Sequence, residues 1–336
     1  MNYSLGNTLS RGGGSLNPDG LSLDLQFATD KTLTARRGPT PTFTRASTAT
    51  FIGSNGLIQS AAINDARFDH DPVTLASKGL LMEESRTNLV FPSATLTTQT
   101  RTVTAVAHTL SFYGTGTIVL SGAHVATVTG TGAFPTRTTL TFTPSAGSLT
   151  LTVTGTVTEA QLEAGAFASS YIPTTTASVV RSADICSITG SDFTSFYNQS
   201  EGTIVGSGLT NQPTTNAGPE LFKSSDGTNN NRIQLGMTNA TAQAVRPFIV
   251  ASGTATYSST QGTATVGVER KVGMAYKTND AISAFNGTLG TLDTTVTPPT
   301  NCNQVNLFAG LGVGTISSLR YFKKRLPNAK LQTLTT

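Results

Sequence analysis

An all-β fold, an amino-terminal arm followed by two antiparallel sandwiches, is what this sequence predicts, and three observations carry it. Thr supplies 61 of the 336 residues and Gly a further 33. Charged residues are 12% of the chain, against about 25% in an ordinary soluble domain. Apolar residues recur at every second position in run after run, with Gly- and Pro-rich turns between the runs. β-Branched Thr, Val and Ile favour strands, whereas a helical bundle needs many more Glu, Lys and Arg on its exposed faces. A hydrophobic fraction of 37% in regular alternation can bury a core, which excludes a disordered chain.

Residues 1–41 read as an extended attachment arm. Gly12-Gly13-Gly14, Asn17-Pro18-Asp19-Gly20 and Gly38-Pro39-Thr40-Pro41 are breakers. Between them one run alternates cleanly, with Leu21, Leu23, Leu25 and Phe27 on one face. A lone strand is not stable in water, so this face must dock. Attachment to a larger assembly is the expectation, and docking onto the chain's own second sandwich is the alternative.

Residues 42–90 form an irregular linking segment, expected to pack on the first sandwich. It is the densest charged stretch, holding Arg67, Asp69, His70, Asp71, Glu83, Glu84 and Arg86. Two carboxylates serving as acid and base would be one use of it, with Asp69 and Asp71 or Glu83 and Glu84 as the pair. Neighbours at i and i+1 in a strand face opposite ways, so Glu83 and Glu84 do not flank one bond. Arg45, Arg67 and Arg86 also supply positive partners that lower carboxylate pKa values. A salt-bridged turn that fixes one segment against another is therefore expected here.

Residues 91–176 hold the clearest alternation, in Thr117–Leu120, Thr138–Thr143 and Ser148–Val153, separated by Gly114-Thr115-Gly116, Gly130-Thr131-Gly132 and Pro144-Ser145-Ala146-Gly147. Strands at such spacing indicate a sandwich. His108 and His124 lack a third His or a carboxylate to complete a zinc-type cluster and read as surface or edge residues. Residues 177–336 form the second β-rich block, with strands at 202–206, 232–236, 271–276, 281–287 and 314–322. The chain closes on a short helix over Leu326–Leu334 with Pro327 in its first turn.

Little catalytic chemistry is visible. No nucleophile elbow, P-loop, dinucleotide fingerprint or His-Glu-x-x-His occurs. Three His and two Cys offer little for a triad or a transition metal, so no catalytic residue, metal or cofactor is expected. Cys186 and Cys302 could pair if their strands lie side by side, but two small buried thiols are the simpler reading. The candidate binding element is the loop around Asp226, Asn229, Asn230, Asn231 and Arg232. Its oxygens suit calcium or sugar hydroxyls, and Arg232 could hold a carboxylated sugar. Asp-Gly and Asn-rich turns are equally the ordinary chemistry of a hairpin. Trp is absent, so Tyr257, Tyr276 and Phe285 are the substitutes for a sugar-stacking platform.

The net charge is +4, from 22 basic and 18 acidic residues, with no basic cluster longer than Lys323-Lys324-Arg325. Nucleic-acid binding is not expected from so diffuse a surplus. The uncharged stretch from Val103 up to Arg137 is studded with Thr, Gly and His, so no membrane insertion is expected. Met1-Asn2-Tyr3-Ser4 lacks the features of a signal peptide, which predicts synthesis in the cytoplasm.

Three stretches resemble the signature of tailed-phage head spike or head fibre domains: Phe43–Thr50 (FTRASTAT), Ala66–Thr74 (ARFDHDPVT) and Gly79–Leu89 (GLLMEESRTNL). Gln161–Thr174 (QLEAGAFASSYIPT) is similar to the segment that closes the carbohydrate-binding-module-like sandwich in such proteins. The block from Asn198 to Gln332 resembles their concanavalin- or laminin-G-like domain. The resemblance implies a non-enzymatic structural protein on the virion surface, placed as a head fibre, spike or decoration protein. A tail fibre that grips host surface glycan is the alternative. It further implies a homotrimer that meets other virion proteins, with the arm as the attachment point.

Overall fold

The computed structural model of the chain describes residues 17, 19–211, 219–237, 244–263, 265–310 and 312–336. The all-β expectation holds: antiparallel sheets dominate, and among the described residues there are three helices, the last over Asn328–Thr335. No helix among these residues is long and apolar enough to cross a membrane.

Two large sheets form the main sandwich. One places Thr288–Leu289, Asp280–Phe285, Arg270–Lys277, Glu201–Thr210, Val313–Phe322, Ser77–Glu83 and Phe68–His70 side by side. The other runs Thr42–Thr44, Ile185–Thr189, Gln304–Leu307, Glu220–Ser225, Arg232–Gly236, Arg246–Ala251 and Thr254–Ser258. Alternation sends Ile233, Leu235, Ile249, Val305 and Leu307 from one sheet and Ile204, Met274, Ile316 and Leu319 from the other into a shared core. The carboxy-terminal helix covers part of the first sheet's outer face, where Leu331 packs with Val205, Ala275 and Ile282.

The segment read as an arm is a strand of this sandwich. Val313–Phe322 shares its free edge between two partners: Ile316 faces Leu80, and further along Leu25 faces Leu319 and Leu21 faces Phe322. Leu23, Leu25 and Phe27 are fully buried, and Phe27 opens a four-residue helix ending at Asp30. Their apolar face is consumed by the chain's own core, so these residues are not the attachment point to another protein. Burial of each such side chain stabilises by about 1.5–3 kcal/mol, which exceeds what a swinging arm would retain.

The linking segment is likewise part of the main sandwich and not an outer layer of the first. Thr42–Thr44 extends the seven-stranded sheet beside Ile185–Thr189, and Phe68–His70 with Ser77–Glu83 extends the other sheet. Ala49–Ile52 and Ile58–Ala61 stand apart as a hairpin, and Arg86–Asn88 leaves for a separate two-stranded ribbon. Gly79 permits the close packing here: its φ is +92°, and a Cβ would meet the Ile316 carbonyl oxygen at 2.1 Å.

The smaller sandwich is inserted between Glu83 and Asp184. Its stem is a two-stranded ribbon in which Arg86–Asn88 pairs with Val179–Arg181. Beyond it lie a four-stranded sheet (Ala126–Thr129, Thr117–Gly122, Gly147–Thr154, Gln99–Val103) and a three-stranded one (Thr138–Phe142, His108–Tyr113, Thr158–Ala164). Leu110, Phe112, Ile118, Leu120, Leu149, Leu151 and Leu162 fill the space between them. His108 is not a surface residue. It begins the middle strand of the three-stranded sheet at 1% exposure, its Nδ1 lies 2.8 Å from the Val106 carbonyl oxygen, and its ring stacks on Phe142.

Candidate functional site

The charged segment becomes a buried joint between the two sandwiches. Ser77–Glu83 ends on Glu83 just as the chain leaves the main sandwich, and Asp184 lies where it returns. Arg67 bridges the two acids, with Nη1 2.6 Å from Glu83 Oε2 and Nη2 2.5 Å from Asp184 Oδ2. Arg45 Nη1 reaches Asp184 Oδ1 at 3.1 Å, and Arg181 Nη1 reaches Glu83 Oε2 at 2.5 Å. Ser170, from the smaller sandwich, donates its N–H to Glu83 Oε1 at 2.7 Å and its hydroxyl to Oε2 at 2.6 Å. The side chains of Arg45, Arg67, Glu83 and Asp184 are all 0% exposed.

Burial alone would raise the pKa of Glu83. Arg181, Arg67 and the two Ser170 donors outweigh it and hold the carboxyl at about 2. Arg67 is pushed above its ordinary value: burial acts against its charge, but Glu83 and Asp184 overcome that. A second polar cluster continues the joint. Glu163 accepts from Gln161 Nε2 at 2.6 Å and from the Ser169 N–H and hydroxyl at 2.9 and 2.7 Å. Arg137 holds the Ser169 carbonyl oxygen at 2.6 Å and the Ser111 hydroxyl at 2.7 Å.

A cavity of about 170 Å³ opens beside this joint, lined by Asp69, Glu83, Tyr113, Arg137, Ser170 and Tyr171 among others. It brings Asp69 and Glu83 to one space and leaves Asp71 and Glu84 outside. Burial pushes Asp69 up against a single N–H from Ile52 at 2.8 Å. The two acids are thus set apart in pKa, as acid and base pairs are. Glu83 nevertheless has four donors on its two oxygens and no exposed surface, so it presents nothing to a substrate. Asp71 is held at about 2 by the Thr74 and Val73 N–H groups in an exposed turn, and Glu84 pairs with Arg86 at 2.5 Å. The pairings Asp69 with Asp71 and Glu83 with Glu84 are not catalytic dyads.

The loop of Asp226, Asn229, Asn230, Asn231 and Arg232 is the hairpin between Glu220–Ser225 and Arg232–Gly236. Asp226 Oδ1 accepts the Thr228 hydroxyl at 2.6 Å and N–H at 2.9 Å, and Oδ2 accepts Asn231 Nδ2 at 2.8 Å. Those bonds, the Thr228 hydroxyl foremost, hold its carboxyl at about 2. Asn231 Oδ1 also takes the Ser252 N–H at 2.8 Å, and Asn229 Oδ1 takes Lys223 Nζ at 3.0 Å. These oxygens serve the turn. Arg232 also serves the turn, its Nη1 donating to the Asn229 carbonyl oxygen, while its guanidinium lies over the outer face of the sheet, 5.2 Å from the Phe248 ring.

Tyr257 and Tyr276 are 3% and 0% exposed, which removes them as stacking platforms; Phe285 is half-buried. Cys186 and Cys302 are free buried thiols, and burial pushes Cys186 up to about 12. Among the described residues no group of three His, Cys, Asp or Glu is placed to hold a metal.

Sequence reading missed Ser170, Arg181 and Asp184. One signal was present: from residue 164 to 191 the only charges are Arg181 and Asp184. Two isolated charges of opposite sign in so apolar a run are the kind that end up buried and paired.

No protein-family model matches the sequence, and no curated protein does. Partial likenesses exist among solved structures. The CBM40 domain of Ruminococcus gnavus IT-sialidase, bound to α2,3-sialyllactose, shares 19% identity over 41% of this chain and 83% of that one, with a TM-score of 0.34. Domain 4 of AbnA, a GH43 extracellular arabinanase from Geobacillus stearothermophilus, shares 14% over 51% and 81%, with a TM-score of 0.38. The NanB sialidase of Streptococcus pneumoniae shares 19% over 44% of this chain and 26% of that one, with a TM-score of 0.35.

Proposed function

We propose that this chain is a non-enzymatic structural protein displayed on the surface of a tailed-phage virion, as a head fibre, spike or decoration protein. One observation supports the reading. Each of the four short stretches that resemble the phage family contributes a residue to the same buried joint: Arg45, Arg67, Glu83 and Ser170. The family-like residues are spent on fixing one sandwich against the other, which a displayed module requires and a catalytic cleft does not. On this reading the protein is a homotrimer, and its contact with other virion proteins does not use Leu21, Leu23, Leu25 and Phe27.

Immunogold labelling of gradient-purified particles tests it, together with mass spectrometry of the same fractions. Regular labelling at the head or tail is the expected result. A protein found only in the lysate and never in particles overturns the reading. Light scattering of the purified chain checks the trimer against the 34.8 kDa of one copy.

A further inference from the structure

The seven-stranded sheet carries a polar row on its outer face. Its register aligns Ser187, Asn306, Lys223, Gln234, Phe248 and Ser258 across six adjacent strands. At about 4.8 Å per strand the row is roughly 24 Å long. Phe248, although outward, is only 8% exposed, because two guanidiniums lie against its ring: Arg246 at 4.4 Å and Arg232 at 5.2 Å from the centroid. Arg232 is fixed in that pose by its Nε bond to Gln234 Oε1 at 2.7 Å and by an Nη1 bond to the Asn229 carbonyl oxygen, which among the described residues leaves Nη2 for a ligand. The carboxylate beside these cations is Glu220, half-buried and 3.8 Å from Lys223 Nζ. Three cations therefore stand over one acid around the third to fifth places of the row, and its other members, Ser187, Asn306 and Ser258, are hydroxyl and amide.

We propose that this row is a binding platform for a carboxylate-bearing polysaccharide. Arg232 and Arg246 take the carboxylate, and Gln234, Lys223 and Asn306 take neighbouring hydroxyls. A planar guanidinium matches a carboxylate, and amides both donate to and accept from sugar hydroxyls. A neutral glycan would need an open aromatic face, and both arginines crowd the one ring present. Nucleic acid would need cations along the whole row, whereas Ser187, Asn306 and Ser258 carry none. The proposal does not depend on the virion reading, and particle labelling is indifferent to its outcome.

Affinity electrophoresis of the full chain in gels containing polygalacturonate, hyaluronate, dextran sulfate or dextran tests it. Retardation by polygalacturonate or hyaluronate, none by dextran, and at least about fivefold weaker retardation of R246Q are expected. Gln234→Ala weakens it about threefold, which a diffuse charge effect does not explain. Among the described residues the Arg246 side chain makes one weak hydrogen bond, to Ser258 at 3.4 Å, so R246Q keeps the test valid should R232Q fail to fold. Unchanged mobility in both acidic polymers overturns the proposal. So does equal weakening by Lys330→Gln, a lysine on the carboxy-terminal helix.

Discussion

Arg181 Nη1 meets Glu83 Oε2 at 2.5 Å although 98 residues separate them. The intervening chain is the smaller sandwich, so this ion pair closes the base of the insertion. Removing a charge from water costs several kcal/mol, and a buried pair returns that only when the remaining lone pairs and protons are satisfied. Here Ser170 supplies two donors to Glu83, Asp184 accepts from the Glu83 N–H at 2.8 Å, and Arg181 also donates to the Glu84 carbonyl oxygen at 2.5 Å, which leaves the Nε–H groups of Arg67 and Arg181 as the unpartnered protons of these pairs among the described residues. The joint thus specifies one orientation of the smaller sandwich, because any other arrangement strands a buried charge.

Glu83→Gln tests that claim. It leaves Arg45, Arg67 and Arg181 buried with Asp184 as the remaining carboxylate of the joint. Breaking such a network from one side costs about 3–5 kcal/mol. Urea denaturation is expected to show a loss of that size. A variant within about 0.5 kcal/mol of the parent would mean that the joint relaxes with water and does not lock the sandwiches.

Stability should also fall in acid, with a sign set by Glu83. Its folded pKa of about 2 lies below the ordinary 4.5, so its contribution is fully present above pH 4.5 and is lost as pH falls toward 2. The depression is equivalent to about 3 kcal/mol. Denaturation midpoints measured from pH 7 to pH 3 should drop steeply below pH 4.5 in the parent and more gently in Glu83→Gln. Parallel curves would assign the acid sensitivity to other carboxylates.

The sequence legibly encodes strands and not their partners. Thr138–Phe142 and Gly147–Thr154 are nearly the runs that alternation marks out, because period 2 is local. Arg45 and Asp184 meet across 139 residues, and Ser22 bonds to the Tyr321 carbonyl oxygen across 299. No local pattern holds such pairings, so the strand of Leu21–Leu25 reads as an arm when its partner strand ends at Phe322. The charged segment was recognisable as a structural lock because its arginines outnumber what a catalytic acid tolerates. Its other half, from Ser170 to Asp184, was hidden by the inserted sandwich. Arg232 was marked for its charge, but its convergence with Arg246 on the Phe248 ring depends on the register of two strands, which sets Gln234 opposite Phe248.

Asp69→Asn should stabilise the protein at neutral pH. Burial raises the folded pKa of Asp69 above the ordinary 3.8, so its ionised form opposes folding once pH exceeds that value. Asn removes the charge and keeps an oxygen for the Ile52 N–H. The melting temperature is expected to rise at pH 7, with the difference shrinking as pH approaches 3.8. A loss at pH 7 would show that Asp69 has a charged partner in solution, within the cavity it lines.

Leu25→Ala distinguishes a core strand from a detachable arm. Leu25 is fully buried opposite Leu319, in the same cluster as Leu80, Met82 and Ile204. Truncating a core Leu costs about 2–5 kcal/mol, from lost transfer energy and from the cavity left behind. Calorimetry of the isolated protein should therefore show a large fall in melting temperature with no other protein present. An attachment arm behaves in the opposite way: the isolated chain would melt as the parent does, and only incorporation into particles would suffer. That second result would return Leu21, Leu23, Leu25 and Phe27 to the surface of the molecule and make their seat against Val313–Phe322 a resting position.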